Sequence, residues 1–468
     1  MSLPIDTRFY ADPLMIYWQP SGTASQLDRQ VLVQLVEENA QHLDTGSLHA
    51  QGPIIATGHQ AWFWHPGILA KDIAMAESAR YHGGHMLHLV VDHDVHSAMQ
   101  LPIPILHDHV MVRKVVELAQ VNADIPLASQ MPVDIKQVQD NLWYLKEEQS
   151  TLLGHALMDM PYCENLAQQM TVILTRLMHR WVGKVPILYS TQLLELPSAK
   201  QALEQMLDNA LSMARCYNNA VNQVSHAGIA HLAIEQDRVE LPVWLIHWGK
   251  PRSRVYADIA DHKPVLVDSE GNVLDLNKDL LAPKALFLSA LMRTVVSQLF
   301  IHGLGGGIYD QVTEIWWSQW KHEPLNPLAI ASADLYMHWD IHFAQQEDVE
   351  HACWYLHHLK HNMDRFTEMG GELYTQKQTL IKQLANTNAS REDKKNWFKQ
   401  LHQINEQLCQ KHVDVLHEAH KKLTMAQRGV ANREMASRRD WPFFLYQDSQ
   451  IQQLQKMIRR ANEHRQGV

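Results

Sequence analysis

The sequence is poor in cysteine, and none of its four cysteines lies close enough to another to form a C-x-x-C pair. A zinc knuckle or a dithiol redox motif is therefore not expected, and we predict reduced thiols at Cys163, Cys216, Cys353 and Cys409. The first residues lack the basic region, apolar core and small-residue cleavage site of a secretion signal. No segment contains the roughly 18 uninterrupted apolar residues of a transmembrane helix. These absences predict a soluble, cytoplasmic protein with no membrane partner.

Positive charge is also scarce, with 41 basic against 51 acidic residues and a formal net charge of -10. Bulk electrostatic binding of nucleic acid is disfavoured, because phosphate backbones require a basic surface. A chain of 468 residues that is 46% hydrophobic can bury a large core, so we expect a globular protein of more than one domain. The 30 histidines and 14 tryptophans are the unusual feature of the composition. Histidines clustered at strand ends are the ones that suggest function.

A strand, a helix and a second strand are predicted near the N-terminus. The apolar run 53–57 is followed by Gly58 as a turn residue, residues 68–82 have helical periodicity, and the apolar run 86–91 follows Gly83 and Gly84. This order is a βαβ unit, which implies a parallel sheet with a right-handed crossover. Ligands of such sheets bind at the carboxyl ends of the strands.

The remainder of the core is predicted from shorter patterns. Residues 110–184 have mostly helical periodicity, 185–191 form a strand, and 239–248 and 263–276 are β segments. A helix is predicted over 286–300, followed by a glycine-rich turn at 303–310 and a tryptophan-bearing helix. We therefore predict an α/β core domain over residues 1–345 with a helical insertion near 110–184.

Long helical periodicity with few turn residues follows the core. Two apolar series with a spacing of seven predict an antiparallel coiled-coil hairpin over 346–428: Phe366, Leu373 and Leu380, then Leu401, Leu408 and Val415. Gly370 and Gly371 predict a break in the first helix, and Ser390 is expected to cap the return helix. Residues 429–468 are predicted to return and pack on the core.

The hairpin is also expected to mediate self-association. Two long helices leave some apolar positions uncovered, and a two-fold partner is a common way to bury them. The positions concerned are Trp354, Leu356, Leu359 and Trp397. We therefore predict a homodimer, the alternative being that these side chains pack on the chain's own core.

The first group of candidate site residues surrounds the first predicted strand end. Thr57, Gly58, His59 and Gln60 are followed, after an aromatic loop, by the helix entry His65, Pro66 and Gly67. Backbone N–H groups at a helix N-terminus attract phosphate or carboxylate, and imidazoles can donate to the same anion. Lys71 lies one turn into the helix and could reach a phosphate, an exposed structural lysine being the alternative.

The second group follows the second strand. Asp92, His93 and Asp94, with His96 beyond them, come directly after an apolar run. Carboxylates beside imidazoles can orient a base, bind an amine or ligate a divalent metal. A polar loop at the strand exit is the structural alternative.

The third group is the glycine-rich segment between two predicted helices. Gly305, Gly306 and Gly307, with Tyr309, could bring backbone N–H groups close to a ligand. A tight connection between packed helices is the alternative interpretation.

These three segments, in this order and before a long helical hairpin, resemble the bacillithiol biosynthesis cysteine-adding enzyme family. TGHQAWFWHPGILAKDIA stands where the family has a T-G-Q-Q segment and a glycine-rich loop. VVDHDVHSA matches a family E-D-H-D segment, and GLGGGIYDQV matches G-G-P-G-E-x-x-Y. His59 replaces a glutamine, Trp62 to Pro66 replace the glycine-rich loop, and the glutamate of the third motif is missing.

The resemblance implies a Rossmann-like core related to nucleotidylyl transferases and class I aminoacyl-tRNA synthetases, with helical insertions and dimerisation through the coiled coil. The implied reaction is ligation of cysteine to the amine of glucosaminyl malate, so the partners are an amino acid and an amino sugar. The implied cofactor is ATP or another adenine nucleotide. His59, His65, Asp92, His93 and Asp94 are the candidate catalytic residues. Candidate binding residues are Thr57, Gly58, Gln60, Gly67, Lys71, Gly305, Gly306, Gly307 and Tyr309.

Two other function classes remain open from the sequence. A metal-dependent hydrolase would use the histidine and aspartate cluster as ligands, and a non-catalytic nucleotide-binding scaffold would use the hairpin to bind partners. The candidate metal ligands are His85, His88, Asp92, His93, Asp94 and His96.

Overall fold

The computed structural model describes residues 7–261, 263–367 and 369–463, which form two compact units. The sheet unit contains the described chain up to Ile103, Val115–Met337 and the segment from Arg439 onward. The helical unit contains Pro104–Lys114 and His338–Arg438. The predicted hairpin, residues 346–428, lies inside the helical unit. The predicted return segment is divided, since its residues up to Arg438 belong to the helical unit and the rest to the sheet unit.

The described residues form three sheets. The strands, in chain order, are β1 (Arg8–Asp12), β2 (Ile54–Gln60), β3 (His85–Val91), β4 (Gln100–His107), β5 (Val110–Glu117), β6 (Ile187–Tyr189), β7 (Arg238–Leu245), β8 (Ser253–Asp258), β9 (Val265–Asp268), β10 (Leu281–Pro283), β11 (Leu299–His302) and β12 (Leu328–Asp334). A six-stranded sheet has the order β1-β12-β11-β2-β3-β6, a four-stranded sheet has the order β10-β7-β8-β9, and β4 pairs with β5.

The helices connect and cover these sheets. In chain order they are α1 (Gln26–Leu43), α2 (Pro66–Tyr81), α3 (Ile135–Asp140), α4 (Glu147–Leu157), α5 (Leu166–Val182), α6 (Pro197–Asp208), α7 (Ala210–Gln223), α8 (Ala285–Leu291), α9 (Leu304–Lys321), α10 (Gln346–Thr367), α11 (Glu372–Leu384), α12 (Arg391–Lys411), α13 (Val413–Ala436) and α14 (Asp448–Glu463). No helix in the described ranges is long and apolar enough to cross a lipid bilayer. All four cysteines are thiols.

The predicted βαβ unit is confirmed. Strands β2 and β3 are parallel, with Ile54 opposite His85 and Gln60 opposite Val91, and α2 connects them. Strand β2 is longer than predicted, because Gly58, His59 and Gln60 continue its pairing instead of forming a turn. Within the six-stranded sheet, β12, β11, β2, β3 and β6 are parallel, and β1 is antiparallel to β12. The chain is thus a mixed α/β protein with a mainly parallel sheet.

Two predicted helical segments are wrong in part. Residues 110–117 form β5, and the helices of the predicted insertion begin only at Ile135. The predicted helix over 286–300 ends early, because a π-helix at Met292–Val296 follows α8 and Leu299–His302 form β11. A short apolar run without turn residues fits a buried strand as well as a buried helix, so periodicity alone did not separate them.

The helices of the helical unit are α10 to α13, and α10 packs against α12 as well as in the two pairs that follow. Helix α10 packs against α13, and α11 packs against α12. The predicted break is confirmed, because α10 ends at Thr367, α11 begins at Glu372, and Gly370 has a φ of 93° that favours glycine. The predicted cap is also confirmed, since the Ser390 hydroxyl accepts a hydrogen bond from the Asp393 backbone N–H at 3.1 Å.

The apolar series of the hairpin is buried unevenly. Leu380 and Leu408 are buried, and Leu373, Leu401 and Val415 pack against the same cluster, but Phe366 is exposed. Leu356 and Leu359 are buried in this cluster as well, so the expectation that they remain uncovered is wrong. Trp354 is exposed, and Trp397 packs partly against the cluster.

Candidate functional site

A cavity of about 620 Å³ lies at the carboxyl ends of the central strands of the sheet unit. Its walls include Gly58, His59 and Gln60 of β2, Leu89 and Val91 of β3, and Phe300 and His302 of β11. Strands β2 and β11 are neighbours in the sheet. After β2 the next strands, β3 and β6, are added on one side, and after β11 the next strand, β12, is added on the other side. Such a switch point is where ligands bind in open parallel sheets.

Two helix N-termini open onto this cavity. Helix α2 begins at Pro66 after the N-cap residue His65, and α9 begins at Leu304 after the N-cap residue Gly303. Both caps line the cavity, as do Gly67 in α2 and Gly305 in α9. Backbone N–H groups in the first turn of a helix have no partner within the helix, and the helix dipole favours negative charge there. At α2 these groups are already used, because Pro66 has no N–H and the N–H groups of Gly67, Ile68 and Leu69 donate to His65. Helix α2 therefore contributes only its dipole, and the first turn of α9 is the position suited to an anion.

The loop between β2 and α2 is anchored by its aromatic side chains. The Trp64 indole N–H donates to the Gln60 carbonyl at 2.8 Å, and its ring stacks on His88 with 5.1 Å between centroids. The backbone N–H of Phe443 donates to the Trp64 carbonyl at 2.7 Å. Trp62 instead lines the cavity and meets the His59 ring edge-on at 5.2 Å. A fixed aromatic loop thus presents an indole to the ligand space.

Lys71 is buried in the floor of the cavity. Only 3% of the residue is exposed, and its Nζ donates to the Gly58 carbonyl at 2.7 Å. The alternative of an exposed structural lysine is therefore wrong. Burial lowers the pKa of Lys71 to about 8, because the ammonium loses hydration, while the neighbouring carboxylate of Asp72 acts in the opposite direction. Lys71 remains mainly cationic at neutral pH.

His59 and His65 are neutral imidazoles with different hydrogen-bonding roles. Burial and the charge of Lys71 hold the pKa of His59 well below its ordinary value, and burial with the nearby Arg439 lowers the pKa of His65 to about 4. The Nδ1 of His65 accepts from the Gly67 backbone N–H at 3.1 Å, so its proton is on Nε2. The Nδ1 of His59 lies 3.3 Å from the Gln60 carbonyl, which only accepts, so this tautomer leaves a lone pair on Nε2.

The charge of the cavity lining is entirely positive. Lys71 and Arg439 are its basic side chains, and none of the described lining residues is an aspartate or glutamate. Arg439 also forms an ion pair with Asp334, which in turn accepts from the Tyr10 hydroxyl at 2.8 Å. In a chain of net charge -10, a lining with two basic side chains and no carboxylate favours anions.

Asp92 and His93 are buried beside the cavity and do not line it. The hydroxyls of Ser190 and Thr191 each donate to the Asp92 carboxylate at 2.6 Å. Since Ser190 gives its proton to Asp92, its oxygen accepts from the His93 Nδ1 at 2.6 Å. Burial raises the pKa of Asp92, and burial with the charge of Arg252 lowers the pKa of His93 to about 3. These hydrogen bonds connect the end of β3 to the end of β6.

Asp94 is the member of this group that is linked to the cavity. Its carboxylate accepts from the Gln60 Nε2 at 2.9 Å and forms an ion pair with Arg252 at 3.0 Å. Burial acts to raise the pKa of Asp94, but the Gln60 hydrogen bond and the Arg252 charge outweigh it, so the pKa is lowered. Asp94 is therefore a carboxylate at neutral pH, and the side chain of Gln60 stands between it and the cavity.

The glycine-rich segment forms the first turns of α9, so the predicted turn is wrong. Gly305, Gly306 and Tyr309 line the cavity, but Gly307 packs against β12, where a Cβ would overlap the side chain of Ile330. Thr57 does not line the cavity either, and its hydroxyl donates to the Ile301 carbonyl at 2.8 Å between β2 and β11.

His302 is a lining residue that the sequence interpretation missed. Its Nε2 lies 3.0 Å from the Ser289 hydroxyl and 3.5 Å from Asp310, whose carboxylate pairs with buried Arg293. The sequence contains a signal for this residue, since His302 ends an apolar run next to a glycine, and His59 also stands next to a glycine after an apolar run, but helical periodicity predicts a helix over most of the run before His302. Arg439 has no comparable local signal.

The proposed metal ligands are engaged separately. The His85 Nε2 pairs with the Gln51 carbonyl at 2.6 Å, and the buried His88 Nδ1 pairs with Asp72 at 2.6 Å. The His96 ring meets Trp62 edge-on at 4.7 Å. Within residues 7–261, 263–367 and 369–463, no group of three or more histidine, cysteine, aspartate or glutamate side chains is arranged to hold a metal ion.

The two neighbouring glycines that line the cavity are expected to respond differently to alanine. A Cβ on Gly306 would overlap the His302 imidazole, whereas one on Gly305 meets no atom within 4 Å. We expect Gly306→Ala to lower the free energy of unfolding by about 1–3 kcal/mol, as overpacking does, and Gly305→Ala to leave it unchanged or raise it. Urea unfolding of both variants measures the difference, and equal stabilities would contradict this placement of His302.

No protein-family model matches the sequence. No curated protein matches it either.

Proposed function

We propose that the chain is an enzyme that binds a nucleotide in the switch-point cavity and forms an amide between a carboxyl group and an amine. The observation that carries this proposal is the meeting of the α9 N-terminus and the positive end of the α2 dipole with Lys71 and Arg439 in a cavity whose lining has no carboxylate. A triphosphate or an activated carboxyl group is the kind of ligand that such a lining recognises.

The strand order supports a Rossmann-like interpretation of the core. Counted along the chain, the parallel strands have the order 5-4-1-2-3, with β2 first and a crossover helix between β2 and β3. Read from the other edge, this order agrees with the first five strands of the dinucleotide-binding order 3-2-1-4-5-6, which supports the interpretation. We propose on this basis a core of the type found in nucleotidylyl transferases, with α3 to α5 as the helical insertion and α10 to α13 as a coiled-coil hairpin.

The residues present fit an adenine nucleotide. The cavity volume of about 620 Å³ is in the usual range for small-molecule sites. The N-terminus of α9, Lys71 and Arg439 would hold the phosphates, and the Trp62 indole would face a planar base. Bound ATP would supply the phosphoryl or adenylyl group that activates a carboxyl for attack.

His65 and His59 would have different roles in the reaction. His65 would donate its Nε2 proton to a phosphate or carboxylate oxygen, since its Nδ1 is occupied by Gly67. His59 would accept at Nε2 the proton that the amine releases as its nitrogen forms the C–N bond and the leaving phosphate takes the C–O electron pair. Lys71 stabilises the negative charge that develops on the leaving group.

Asp94 would bind the ammonium of the incoming amine, which loses one proton to solvent before its nitrogen attacks. Asp94 is ionised, and it accepts a hydrogen bond from the cavity-lining amide of Gln60. The expected direct roles of Asp92 and His93 are not supported by the hydrogen bonds that these residues make with Ser190 and Thr191. We propose that they position Asp94.

Cysteine and glucosaminyl malate are the substrates that the sequence resemblance suggests, and we propose them as the first pair to test. A cytoplasmic location and a homodimer formed through the helical unit are part of the same proposal. Light scattering on the full chain tests the dimer, and a monomer at micromolar concentration would contradict it.

The decisive experiment is incubation of the full chain with ATP, an amino acid panel that includes cysteine, and an amine panel that includes glucosaminyl malate. Mass spectrometry should detect an amide product together with ADP or AMP, and the Lys71→Met variant serves as the blank. ATP binding without any product would favour the scaffold function, and metal-dependent cleavage of a substrate would favour the hydrolase.

A further inference from the structure

A second cavity, of about 740 Å³, lies within the helical unit. Its walls are the turn between β4 and β5, the segment that precedes α10, and one face of α13. The polar lining is mainly basic or aromatic, with one carboxylate, Asp340. The basic and imidazole side chains are His109, His342, His417, His420, Lys421 and Arg428.

Asn432 holds the three walls together. It is buried, its side-chain N–H groups donate to the His109 carbonyl at 3.0 Å and the His342 carbonyl at 3.2 Å, and its oxygen accepts from the Met111 backbone N–H at 2.7 Å. Hydrogen bonds from one buried amide to two segments fix the two histidine-bearing walls against α13. The cavity is therefore part of the packed structure of the unit.

Two backbone features maintain the same shape. A Cβ on Gly429 would lie 2.7 Å from Ala344, so only glycine lets the segment before α10 approach α13 this closely. Asp108 and His109 have positive φ values of 48° and 63°, which non-glycine residues rarely adopt. The Asn432 hydrogen bond to His109 helps to hold that conformation. Positive φ at both central residues is what a two-residue hairpin turn of type I′ requires.

We propose that this cavity binds a small organic anion with an aromatic ring. The lining has two basic side chains, Lys421 and Arg428, against the single carboxylate of Asp340, and Lys421 also forms an exposed ion pair at 3.8 Å with Glu418, which lies outside the lining. Leu106 and Met425 line the cavity while 58% and 45% exposed, so an apolar ring would cover them. The four imidazoles can stack on the ring or donate to its acidic group.

This site is distinct from the switch-point cavity, since no residue lines both. A regulatory ligand or a second substrate could therefore bind here without competing for Lys71. The inference does not depend on the amide-forming reaction, because it rests only on residues of the helical unit.

Isothermal titration calorimetry with phenyl phosphate tests the proposal. The titration uses the full-length Lys71→Met chain, so that anion binding in the switch-point cavity is weakened. Adding Lys421→Gln and Arg428→Gln should reduce the affinity at least about tenfold, since each tenfold corresponds to about 1.4 kcal/mol and two charged contacts are lost. Lys422→Gln with Arg433→Gln, two basic residues of α13 outside the lining, is the matched control and should leave the affinity unchanged.

Three further probes define the ligand class. Benzoate should bind and should lose affinity in the same double variant, which would extend the ligand class from aryl phosphates to aryl carboxylates. If phenyl phosphate binds and benzoate does not, the ligand class is restricted to aryl phosphates. Benzyl alcohol should bind more weakly than phenyl phosphate. Inorganic phosphate that binds as tightly as phenyl phosphate, or phenyl phosphate that binds the double variant normally, would overturn the proposal.

Discussion

Replacing Lys71 by methionine should weaken ATP binding by roughly 10- to 150-fold, the effect of losing a charged hydrogen bond of about 1.5–3 kcal/mol. Lys71 is the buried cation of the switch-point cavity; it lies in the second turn of α2, and its Nζ donates to the Gly58 carbonyl of β2. Methionine keeps the length and most of the volume of the side chain, so the change removes mainly the charge. Calorimetric titration of the full chain with ATP measures the loss.

The same residue predicts a pH dependence of binding. The pKa of Lys71 is about 8. The contribution of Lys71 to ATP affinity should therefore be constant below pH 8, and it should fall above pH 8 because the ammonium deprotonates. The wild-type affinity should approach that of the methionine variant near pH 10, and the variant should lack this step.

Lys71 also makes the free energy of unfolding depend on pH, and this free energy rises where the ATP affinity falls. The folded pKa of Lys71 lies below its ordinary value of 10.5, so between about pH 8 and 10.5 the unfolded chain binds more protons than the folded one. The burial cost of the ammonium is therefore fully present below pH 8 and disappears as the pH rises to 10.5.

Lys250→Met, at an exposed lysine of the same unit, is the control and should change neither the ATP affinity nor the free energy of unfolding. Unaltered ATP binding in folded Lys71→Met would refute the assignment of the anion site.

Replacing Arg293 by methionine should lower the free energy of unfolding of the sheet unit by about 3–5 kcal/mol, as removal of one partner of a buried ion pair does. Arg293 pairs with Asp310, and 3% and 0% of the two side chains are exposed. Arg293 also donates to the Asn326 carbonyl at 2.8 Å and to Glu314 at 2.7 Å. Without the guanidinium, the Asp310 carboxylate remains buried beside His302.

The double variant Arg293→Met with Asp310→Asn separates the buried charge from the lost packing. Removing both charges should restore a large part of the stability, because no unpaired ion is left in the core. Urea unfolding is monitored through hydrogen exchange of the amides in α9 and β11, which gives the free energy of unfolding of the sheet unit by itself. Arg238→Met breaks the exposed pair with Glu235 and should have no measurable effect. A double variant no more stable than Arg293→Met would show that packing, and not the buried charge, dominates.

Local patterns in the sequence predicted the elements that depend on neighbouring residues. The βαβ unit follows from apolar runs separated by helical periodicity, and the break at Gly370 and the cap at Ser390 follow from backbone preferences. The same patterns failed where one apolar run suits two structures, as at Leu299–His302.

The candidate site was predicted to the extent that it depends on strand ends. His59, Gln60 and His65 line the cavity because the carboxyl end of β2 and the start of α2 are adjacent in the chain. Asp92 and His93 follow β3 as predicted, but their side chains are taken up by Ser190 and Thr191 at the end of β6. Those partners are almost a hundred residues away in the chain, so no local spacing reveals them.

The sequence by itself therefore determined which segments form the central βαβ unit and where polar residues leave its strands, because each such choice is made by residues within one or two turns of each other. Only the tertiary structure decided that Lys71 is buried and that His302 and Arg439 complete a lining without carboxylates. The order of the strands in the sheet brings the ends of β2 and β11 together, and that order arises from packing between segments distant in the chain.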